Sequence, residues 1–269
     1  MSGSPLLLIG AGRMGGALLK GWIAGKAGPI VVVEPKPSPA LKTLARKKAI
    51  TLAPALSKVT AKKFSACLVA LKPQILKTEA PLLAHVAQGG ALMISVAAGT
   101  HTDLLFPAWG KNSRIIRAMP NTPGAIGQGI TGLYAASGAT AADKRKAVQL
   151  LSALGETVWV DKEDLIDSVT ALSGSGPAYL FLMAEAMTEA GVAEGLPREQ
   201  AEKLARATVA GAGALLKADK SPASALREAV TSPGGTTAAA LSVLMAKDGL
   251  TDLMARAIHA ARKRAEELR

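Results

Sequence analysis

A glycine-rich segment directly after the first apolar run most constrains what this chain can fold into. Residues Leu6–Ile9 predict a short buried strand, Gly10-Ala11-Gly12-Arg13-Met14-Gly15 follows, and ALLKGWIAG then has helical spacing. A G-x-G-x-x-G motif between a strand and a helix is the dinucleotide-binding fingerprint. Gly10 permits the tight turn, Gly12 lets a pyrophosphate reach the backbone, and Gly15 lets helix and strand pack closely. The sequence therefore predicts a dinucleotide-binding domain here.

The second predicted strand, Ile30–Val33, ends in an acidic residue at about the distance expected for a ribose-binding carboxylate. Glu34 would accept hydrogen bonds from ribose hydroxyls and repel a 2′-phosphate, which favours NAD(H). Lys36 follows closely and could instead pair with a 2′-phosphate. The residues thus predict NAD(H) or NADP(H) as the cofactor and leave the preference open.

Apolar runs and helical patterns continue to alternate up to about Val160. The further predicted strands are Ile50–Leu52, Cys67–Leu71, Ala91–Val96, Arg114–Ala118, Ile130–Tyr134 and Thr157–Val160, and the helices are Pro39–Lys48, Ala80–Gln88 and Ala141–Leu154. This alternation implies a mostly parallel sheet whose ligands gather at the carboxyl ends of the strands. The loops GAGRMG, LKP, SVAAGT and MPNTP stand at those ends and can line one crevice.

After Val160 the chain shows helical spacing and no convincing strand. The predicted helices are Glu163–Ala171, Pro177–Gly191, Pro197–Lys217, Pro222–Val230, Thr236–Ala246 and Leu250–Glu267. The segment ARATVAGAGALL is apolar nearly all round, so it must be buried in a bundle or against another chain. We predict a Rossmann-like α/β dinucleotide-binding domain over 1–160, followed by an all-α domain over 161–269 that forms an obligate dimer.

Two stretches rich in Gly, Ser and Thr stand where helices should begin, SGSGP at 173–177 and TSPGGTT at 231–237. Pro177 fits a first helical position, and Gly234 and Gly235 let the backbone approach a ligand. Exposed N–H groups at a helix N-terminus, together with Thr hydroxyls, favour a small carboxylate. Without their context, such loops are more often ordinary turns or caps.

Composition and charge exclude several classes of protein. The 269 residues carry a net charge of +12, but Lys and Arg are scattered without interleaved aromatics, which argues against a nucleic-acid partner. The longest uncharged stretch, Ser168–Ala184, is interrupted by SGSGP and is a poor membrane span. No basic segment of the kind that opens a signal peptide precedes Leu6, and the single cysteine, Cys67, fits a reducing compartment. We expect a soluble, cytoplasmic protein with Cys67 as a buried structural thiol.

No metal or covalent-catalysis motif stands out. The histidines His85, His101 and His259 are dispersed without metal-ligand spacing, so no metal site is predicted. The chain has no G-x-S-x-G elbow and no evident Cys–His–Asn set.

Together, several segments resemble the pyrroline-5-carboxylate reductase family. They are GAGRMGGAL, LVALKPQ, RAMPNTP, EDLIDSVTALSGSGPAY and LREAVTSPGGTTAAAL, and the resemblance covers essentially the whole chain. It implies hydride transfer from NAD(P)H to C5 of Δ1-pyrroline-5-carboxylate, which gives L-proline in the last step of proline biosynthesis. It also implies intertwined homodimers through the helical half, and often decamers.

The resemblance also implies roles for individual residues. The cofactor-binding residues would be Gly10, Gly12, Arg13, Met14 and Gly15 at the pyrophosphate, Glu34 and Lys36 at the adenosine ribose, Lys72, Pro73, Ala97 and Ala98 at the nicotinamide ribose, and Asn121 with Thr122 near the nicotinamide ring. The substrate-binding residues would be Glu163, Ser175, Gly234, Gly235, Thr236 and Thr237. The expected catalytic residues are Thr237, whose hydroxyl would reach the ring nitrogen, Lys72 and Ser175.

Two other interpretations remain open. Another NAD(P)-dependent imine or β-hydroxyacid reductase would keep the first 160 residues without the TSPGGTT pocket. A non-catalytic NAD(P)-binding regulator would bind the dinucleotide without turnover, against which the intact hydroxyl loop argues.

Overall fold

The computed structural model describes residues 4–59 and 63–268, which form two compact units. The first unit runs up to Gly174 and includes the end of the chain from Arg262, and the second is Ser175–Ala261. The division falls later than the predicted boundary near residue 160. The reason is that the helix after the last strand packs onto the sheet: a Cβ at Gly132 would lie 2.5 Å from Val169 Cγ1.

The first unit is built on one sheet of eight strands. They are β1 (Leu6–Ile9), β2 (Ile30–Val33), β3 (Thr51–Ala53), β4 (Ala66–Val69), β5 (Leu92–Ser95), β6 (Ile115–Met119), β7 (Gly129–Ala135) and β8 (Gly155–Trp159). Their order in the sheet is β3-β2-β1-β4-β5-β6-β7-β8. All neighbours pair in parallel except β6 and β7, which are antiparallel. The mostly parallel sheet predicted from the alternation is confirmed.

Helices cover both faces of this sheet, which explains why the strands β1, β4 and β5 are buried at every position and mostly apolar. Leu6 and Leu8 of β1 belong to one buried cluster, whereas Leu7 and Ile9 belong to the other. The helices of this unit are α1 (Arg13–Ala24), α2 (Pro39–Arg46), α3 (Pro73–Glu79), α4 (Ala84–Gln88), α5 (Thr102–Trp109), α6 (Ala141–Leu151) and α7 (Leu165–Val169).

The predicted helices differ from the observed ones where proline or a change of helix type intervenes. The predicted helix 80–88 is a 3-10 turn, Ala80–Leu83, followed by α4, and it contains Pro81. The predicted helix 163–171 is shorter, because α7 passes into a π-helical turn at Thr170–Gly174. Such turns are rare and are frequent at functional sites.

Cys67 lies in the middle of β4 and is fully buried. Burial raises the pKa of its thiol far above the ordinary value. The thiol is therefore a packing element and not a nucleophile, as the apolar run around it predicted.

The second unit is helical. Its helices are α8 (Gly176–Ala193), α9 (Arg198–Ala218), α10 (Ala223–Ala229) and α11 (Thr236–Leu244), and α12 (Leu250–Glu267) begins in it. Between residues 175 and 261 the buried apolar side chains are the small ones of Ala201 and Ala205. Large apolar side chains are exposed instead, including Phe181 at 63% and Val243 at 72%. In the described part of the chain, no helix has both the length and the hydropathy needed to cross a bilayer.

Candidate functional site

The glycines of the first loop each have the environment that a dinucleotide site requires. Gly10 has φ +84°, and a Cβ there would lie 2.7 Å from the carbonyl oxygen of Ala70. A Cβ on Gly15 would collide with the carbonyl oxygen of Gly10, so helix α1 can approach β1 only without a side chain there. A Cβ on Gly12 would meet no atom within 4 Å. The fold therefore requires glycine at Gly10 and Gly15 whether or not they also contact a ligand, whereas the space beside Gly12 is open.

Helix α1 begins beside that space and offers it a positive end. Its N-cap, Gly12, has no side chain with which to cap the first turn, and that turn contains no acidic residue. The N–H groups of Arg13 and Met14 have no intrahelical acceptor at this position. Unsatisfied N–H groups and the helix dipole together fit a bound phosphate or pyrophosphate.

Glu34, directly after β2, is held against the glycine loop. Its Oε2 accepts a hydrogen bond from the backbone N–H of Ala11 at 2.9 Å, and its Oε1 accepts one from Lys36 N–H at 3.1 Å. The carboxylate is therefore fixed at the end of the strand next to β1. Its remaining lone pairs can accept hydroxyl protons, and its charge opposes a second anion.

The topology brings the other predicted cofactor residues of this unit to the same edge of the sheet. Lys72 and Pro73 follow β4, the neighbour of β1, and Ala97 and Ala98 follow β5. Because these strands are parallel, their carboxyl ends share one edge of the sheet. The topological switch point is at β1, since β2 and β3 lie on one side of it and β4 and β5 on the other. Lys72 is exposed and serves as the N-cap of α3, with Pro73 in its first turn.

Asn121 follows β6 at this edge, but its side chain is engaged by the protein itself. Its Nδ2 donates to the carbonyl oxygen of Ser173 at 3.2 Å, and its Oδ1 accepts from the backbone N–H of Ile130 at 3.0 Å. Thr122 beside it is exposed. Both polar atoms of the Asn121 amide are thus already bonded to backbone groups, and the expected contact with a nicotinamide ring stays a prediction.

Glu163 lies in a buried polar network. Its Oε1 accepts from Thr102 N–H at 2.7 Å and from Arg117 Nη1 at 2.9 Å, and its Oε2 accepts from the Thr102 hydroxyl at 2.5 Å. The carboxylate thereby caps helix α5, whose own N-cap residue forms no side-chain cap bond. Arg117 is only 2% exposed, so Glu163 also neutralises a buried guanidinium. The structure gives Glu163 this anchoring role, and its contact with substrate stays a prediction.

His101 is buried within the same network. Its Nδ1 lies 3.8 Å from Glu163 Oε1, and its Nε2 lies 3.7 Å from Asp167 Oδ2. One ligand atom from each of His101, Asp164 and Asp167 falls within 4.8 Å of the others. Sequence spacing could not reveal this group, because the histidine is far from both aspartates along the chain. Carboxylate oxygens thus lie on both sides of the His101 ring, with which they form a buried polar cluster.

Tyr134 pairs with Arg117 across β6 and β7 and borders this network. Burial, and after it the negative charge of Glu163, raises the pKa of Tyr134, whereas Arg117 acts in the opposite direction. The phenol is therefore neutral at physiological pH.

In the second unit, the stretch around Gly234 forms a tight turn that leads into α11. The Gly235 N–H donates to the Ser232 carbonyl oxygen at 3.0 Å, and Gly234 has φ +70°. Pro233 followed by a glycine of positive φ is the pattern of a type II turn. Gly235 is then the N-cap of α11, without a side-chain cap.

The first two residues of α11, Thr236 and Thr237, carry hydroxyl groups. Thr236 is exposed and Thr237 is half-buried. Among the described residues, no hydrogen bond engages the Thr237 hydroxyl. It lies beside the N–H groups of the first turn of α11, and the binding of a carboxylate there stays a prediction. Ser175 precedes α8 and accepts the Ala178 N–H at 3.0 Å through its carbonyl oxygen.

Known proteins match this chain along its whole length. A family model described as pyrroline-5-carboxylate reductase dimerisation matches residues 163–268, and one described as coenzyme F420-dependent NADP oxidoreductase matches residues 6–99. The pyrroline-5-carboxylate reductase of Pseudomonas aeruginosa is 38% identical over 270 aligned residues, which cover 100% of this chain and 98% of that protein. The chain belongs to the pyrroline-5-carboxylate reductase family.

Solved structures of pyrroline-5-carboxylate reductases share the fold. The Coxiella burnetii reductase has a TM-score of 0.90 at 36% identity, covering 98% of both chains. The Plasmodium falciparum pyrroline carboxylate reductase, solved with NADP bound, has a TM-score of 0.82 at 25% identity and covers 100% of this chain and 99% of its own. The predicted architecture, a Rossmann-like domain followed by helices, is confirmed.

Sequence reasoning identified Glu163 but missed its partners. Arg117 stands inside the apolar strand RIIRAM, and a guanidinium at such a position requires a buried carboxylate. That signal was present in the sequence, but the identity of the carboxylate and the participation of Thr102 depend on tertiary contacts.

The different environments of Gly12 and Gly15 predict opposite consequences for similar substitutions. Gly12→Val should weaken NADH and NADPH binding at least about tenfold, and cost up to about 1 kcal/mol of stability through the N-cap. Gly15→Ala should cost about 1–3 kcal/mol because its Cβ collides with backbone. Fluorescence titration and urea unfolding measure the two effects. A Gly12→Val protein with unchanged dinucleotide affinity would contradict a pyrophosphate site at this loop.

Proposed function

We propose that this protein is an NAD(P)H-dependent pyrroline-5-carboxylate reductase that converts Δ1-pyrroline-5-carboxylate to L-proline. The similarity to the Pseudomonas aeruginosa reductase over the full length of both proteins carries the proposal. Because the match includes the helical half as well as the nucleotide-binding half, it reaches the residues that distinguish this family from other dehydrogenases. The match to the coenzyme F420-dependent model ends at residue 99 and therefore concerns the nucleotide-binding half.

The reaction requires positioning more than acid–base catalysis. A nicotinamide bound at this site supplies a hydride, and a protonated cyclic imine is already a good acceptor. The open space beside Gly12 and the free N–H groups at the start of α1 support a pyrophosphate site at this loop. The residues that would hold the pyrophosphate are Gly10, Gly12, Arg13, Met14 and Gly15. Most of the rate enhancement then comes from holding substrate and cofactor at near-attack distance.

The substrate carboxylate is proposed to bind at the turn before α11. Gly234 and Gly235 let the carboxylate approach the backbone, the N–H groups of the first turn of α11 would bind it, and Thr236 and Thr237 add hydroxyls. The Thr237 hydroxyl is proposed to hydrogen-bond the ring nitrogen during reduction. Lys72 and Ser175 are the other proposed catalytic residues, Lys72 as an exposed cation at the end of β4 and Ser175 as the residue that precedes α8.

Glu34 bears on the choice of cofactor. Its carboxylate is fixed by the Ala11 N–H within the glycine loop, so it cannot swing away from an incoming 2′-phosphate without losing that bond. We therefore propose that NADH is preferred to NADPH. Lys36 is exposed, and its amine would moderate the preference by attracting a 2′-phosphate.

Self-association is supported by the dimerisation model and by the exposed apolar side chains of the second unit. We propose that the protein forms a homodimer through α8–α11 and that homodimers assemble further into a decamer. A cytoplasmic location is proposed on the single unpaired cysteine, Cys67.

The decisive experiment follows NADH and NADPH oxidation by the purified protein with Δ1-pyrroline-5-carboxylate. Oxidation that depends on this substrate would support the proposed reaction. If folded protein that binds a dinucleotide oxidises neither NADH nor NADPH with this substrate, a different imine substrate or a non-catalytic role is favoured.

Thr237→Val keeps the shape of the side chain and removes its hydroxyl. We expect kcat/KM for the imine to fall by the equivalent of about 1–3 kcal/mol, the cost of one lost buried hydrogen-bond partner. Thr78→Val, which removes an exposed hydroxyl on α3, is the matched control. Equal kcat/KM in wild type and Thr237→Val would exclude the role assigned to this hydroxyl.

Glu34→Gln removes a charge while keeping an acceptor for the Ala11 N–H. The ratio of kcat/KM for NADPH to that for NADH should rise about threefold to thirtyfold, because like-charge repulsion is relieved. Lys36→Gln should move the same ratio in the opposite direction. A ratio that does not respond to Glu34→Gln would show that Glu34 has no part in cofactor choice.

Phe181→Glu introduces a charge among the exposed apolar side chains of α8. Burying that unpaired charge at an interface should shift the assembly toward monomer, which light scattering after size-exclusion chromatography measures. Lys77→Glu places the same residue on an exposed position of α3 and should leave the assembly unchanged. A dimer of undiminished stability would place the interface elsewhere.

A further inference from the structure

The loop after β6 and the π-helical turn are joined by one amide. Asn121 Nδ2 donates to the Ser173 carbonyl oxygen at 3.2 Å, while its Oδ1 accepts from Ile130 N–H at 3.0 Å. The amide therefore bridges two backbone segments that are distant in sequence, the start of β7 and the turn that contains Ser173. Both of its polar atoms are engaged by backbone groups.

The Ser173 carbonyl needs this donor because of the residues that follow it. In a continuing α-helix the carbonyl would accept the N–H four residues later, but Pro177 has no N–H. A π-helical bond would use the next N–H, that of Ala178, which donates to the Ser175 carbonyl oxygen at 3.0 Å. Asn121 supplies a donor to this half-buried carbonyl, which neither of these two local positions provides.

Missing side chains leave room for this bridge. A Cβ on Gly129 would lie 2.8 Å from Asn121 Oδ1, and a Cβ on Gly174 would lie 2.8 Å from Met119 Cε. Both glycines thus let backbone approach the end of β6 and the amide that follows it. The bridge is specified by residues on three segments and is not an incidental surface contact.

We propose that Asn121 is a positioning residue of the reductase, which holds the π-helical turn Thr170–Gly174 against the loop after β6 and does not itself bind the nicotinamide. This inference rests on the proposed function. Residues near the two bridged segments are those proposed to approach the nicotinamide and the substrate, and an error of about 1 Å between reacting groups can cost a hundredfold in rate. The amide would thus affect turnover without touching the reacting atoms.

Asn121→Asp tests the role with a nearly isosteric change. The aspartate retains an acceptor for the Ile130 N–H but replaces the donor to Ser173 by an oxygen that repels its carbonyl. We expect kcat to fall about tenfold to a hundredfold, while the dissociation constants of NADH and NADPH change by less than about threefold. Asn112→Asp, which makes the same change at the other asparagine of the chain in an exposed turn, should leave both quantities unchanged.

The Pro177→Ala change provides a rescue that only the proposed role predicts. It supplies an N–H for the Ser173 carbonyl. The kcat of the double variant Asn121→Asp/Pro177→Ala should therefore differ from the kcat of Pro177→Ala by less than about threefold. The cycle is also measured by melting temperature. Pro177→Ala should stabilise the Asn121→Asp protein more than it stabilises the wild type, even if Asn121→Asp alone folds poorly.

Two results would overturn the proposal. One is a rise of tenfold or more in the dinucleotide dissociation constant of Asn121→Asp that Pro177→Ala leaves in place, which indicates direct contact with the cofactor. The other is an equal effect of Asn121→Asp on kcat and on melting temperature in both backgrounds. If the wild type does not reduce Δ1-pyrroline-5-carboxylate, the proposed function fails, but dinucleotide affinity and the melting-temperature cycle still test the bridge.

Discussion

A buried guanidinium–carboxylate pair connects three segments of the first unit. Arg117 on β6 and Glu163 ahead of α7 lie 2.9 Å apart, and the same carboxylate binds Thr102 at the start of α5. An unpartnered charge at this depth would cost several kcal/mol, so the strand, the helix and the chain before α7 must adopt their positions together. The residues after Glu163 lead through α7 to the π-helical turn. The ion pair therefore anchors the chain just before α7 and the π-helical turn that follows it.

The proposed nucleotide-binding residues lie at the carboxyl ends of the parallel strands, and some of their atoms also have a structural use. Glu34 holds the glycine loop through the Ala11 N–H and is also the residue proposed to bind a ribose. Gly12 and Gly15 belong to one motif, yet one leaves open space and the other allows contact between helix and strand. Substitutions within one motif therefore have separate effects on binding and on stability.

The second unit has a different physical basis. Its buried apolar side chains, in the part of the chain from 175 to 261, are the alanines Ala201 and Ala205, which supply little hydrophobic stabilisation. The large side chains on its helices are exposed in the single chain, among them Phe181 and Val243. A second copy that covered them would provide the burial that the unit lacks, in agreement with the dimerisation model that matches it.

Local sequence was sufficient to predict the succession of the eight strands, the mostly parallel sheet, the glycine-rich turn after β1 and the helical second half, but it did not predict helices α3 and α5. These features depend on apolar periodicity and on glycine and proline at fixed positions, which act over a few residues. The ends of elements were less predictable: the helix predicted to end at Ala171 gives way to a π-helical turn, to which Asn121 in the loop after β6 donates a hydrogen bond.

Tertiary structure alone decided the partners of polar side chains. The family resemblance predicts that Glu163 contacts substrate and Asn121 contacts the cofactor, and these roles stay predictions; by sequence spacing His101 is isolated. In the fold, Glu163 caps α5 and pairs with Arg117, His101 lies between carboxylates, and Asn121 bonds the Ser173 carbonyl. Short-range patterns determined the elements because backbone preferences are local. The polar contacts join residues far apart in the chain, and only the packing of the sheet brings them within hydrogen-bond distance.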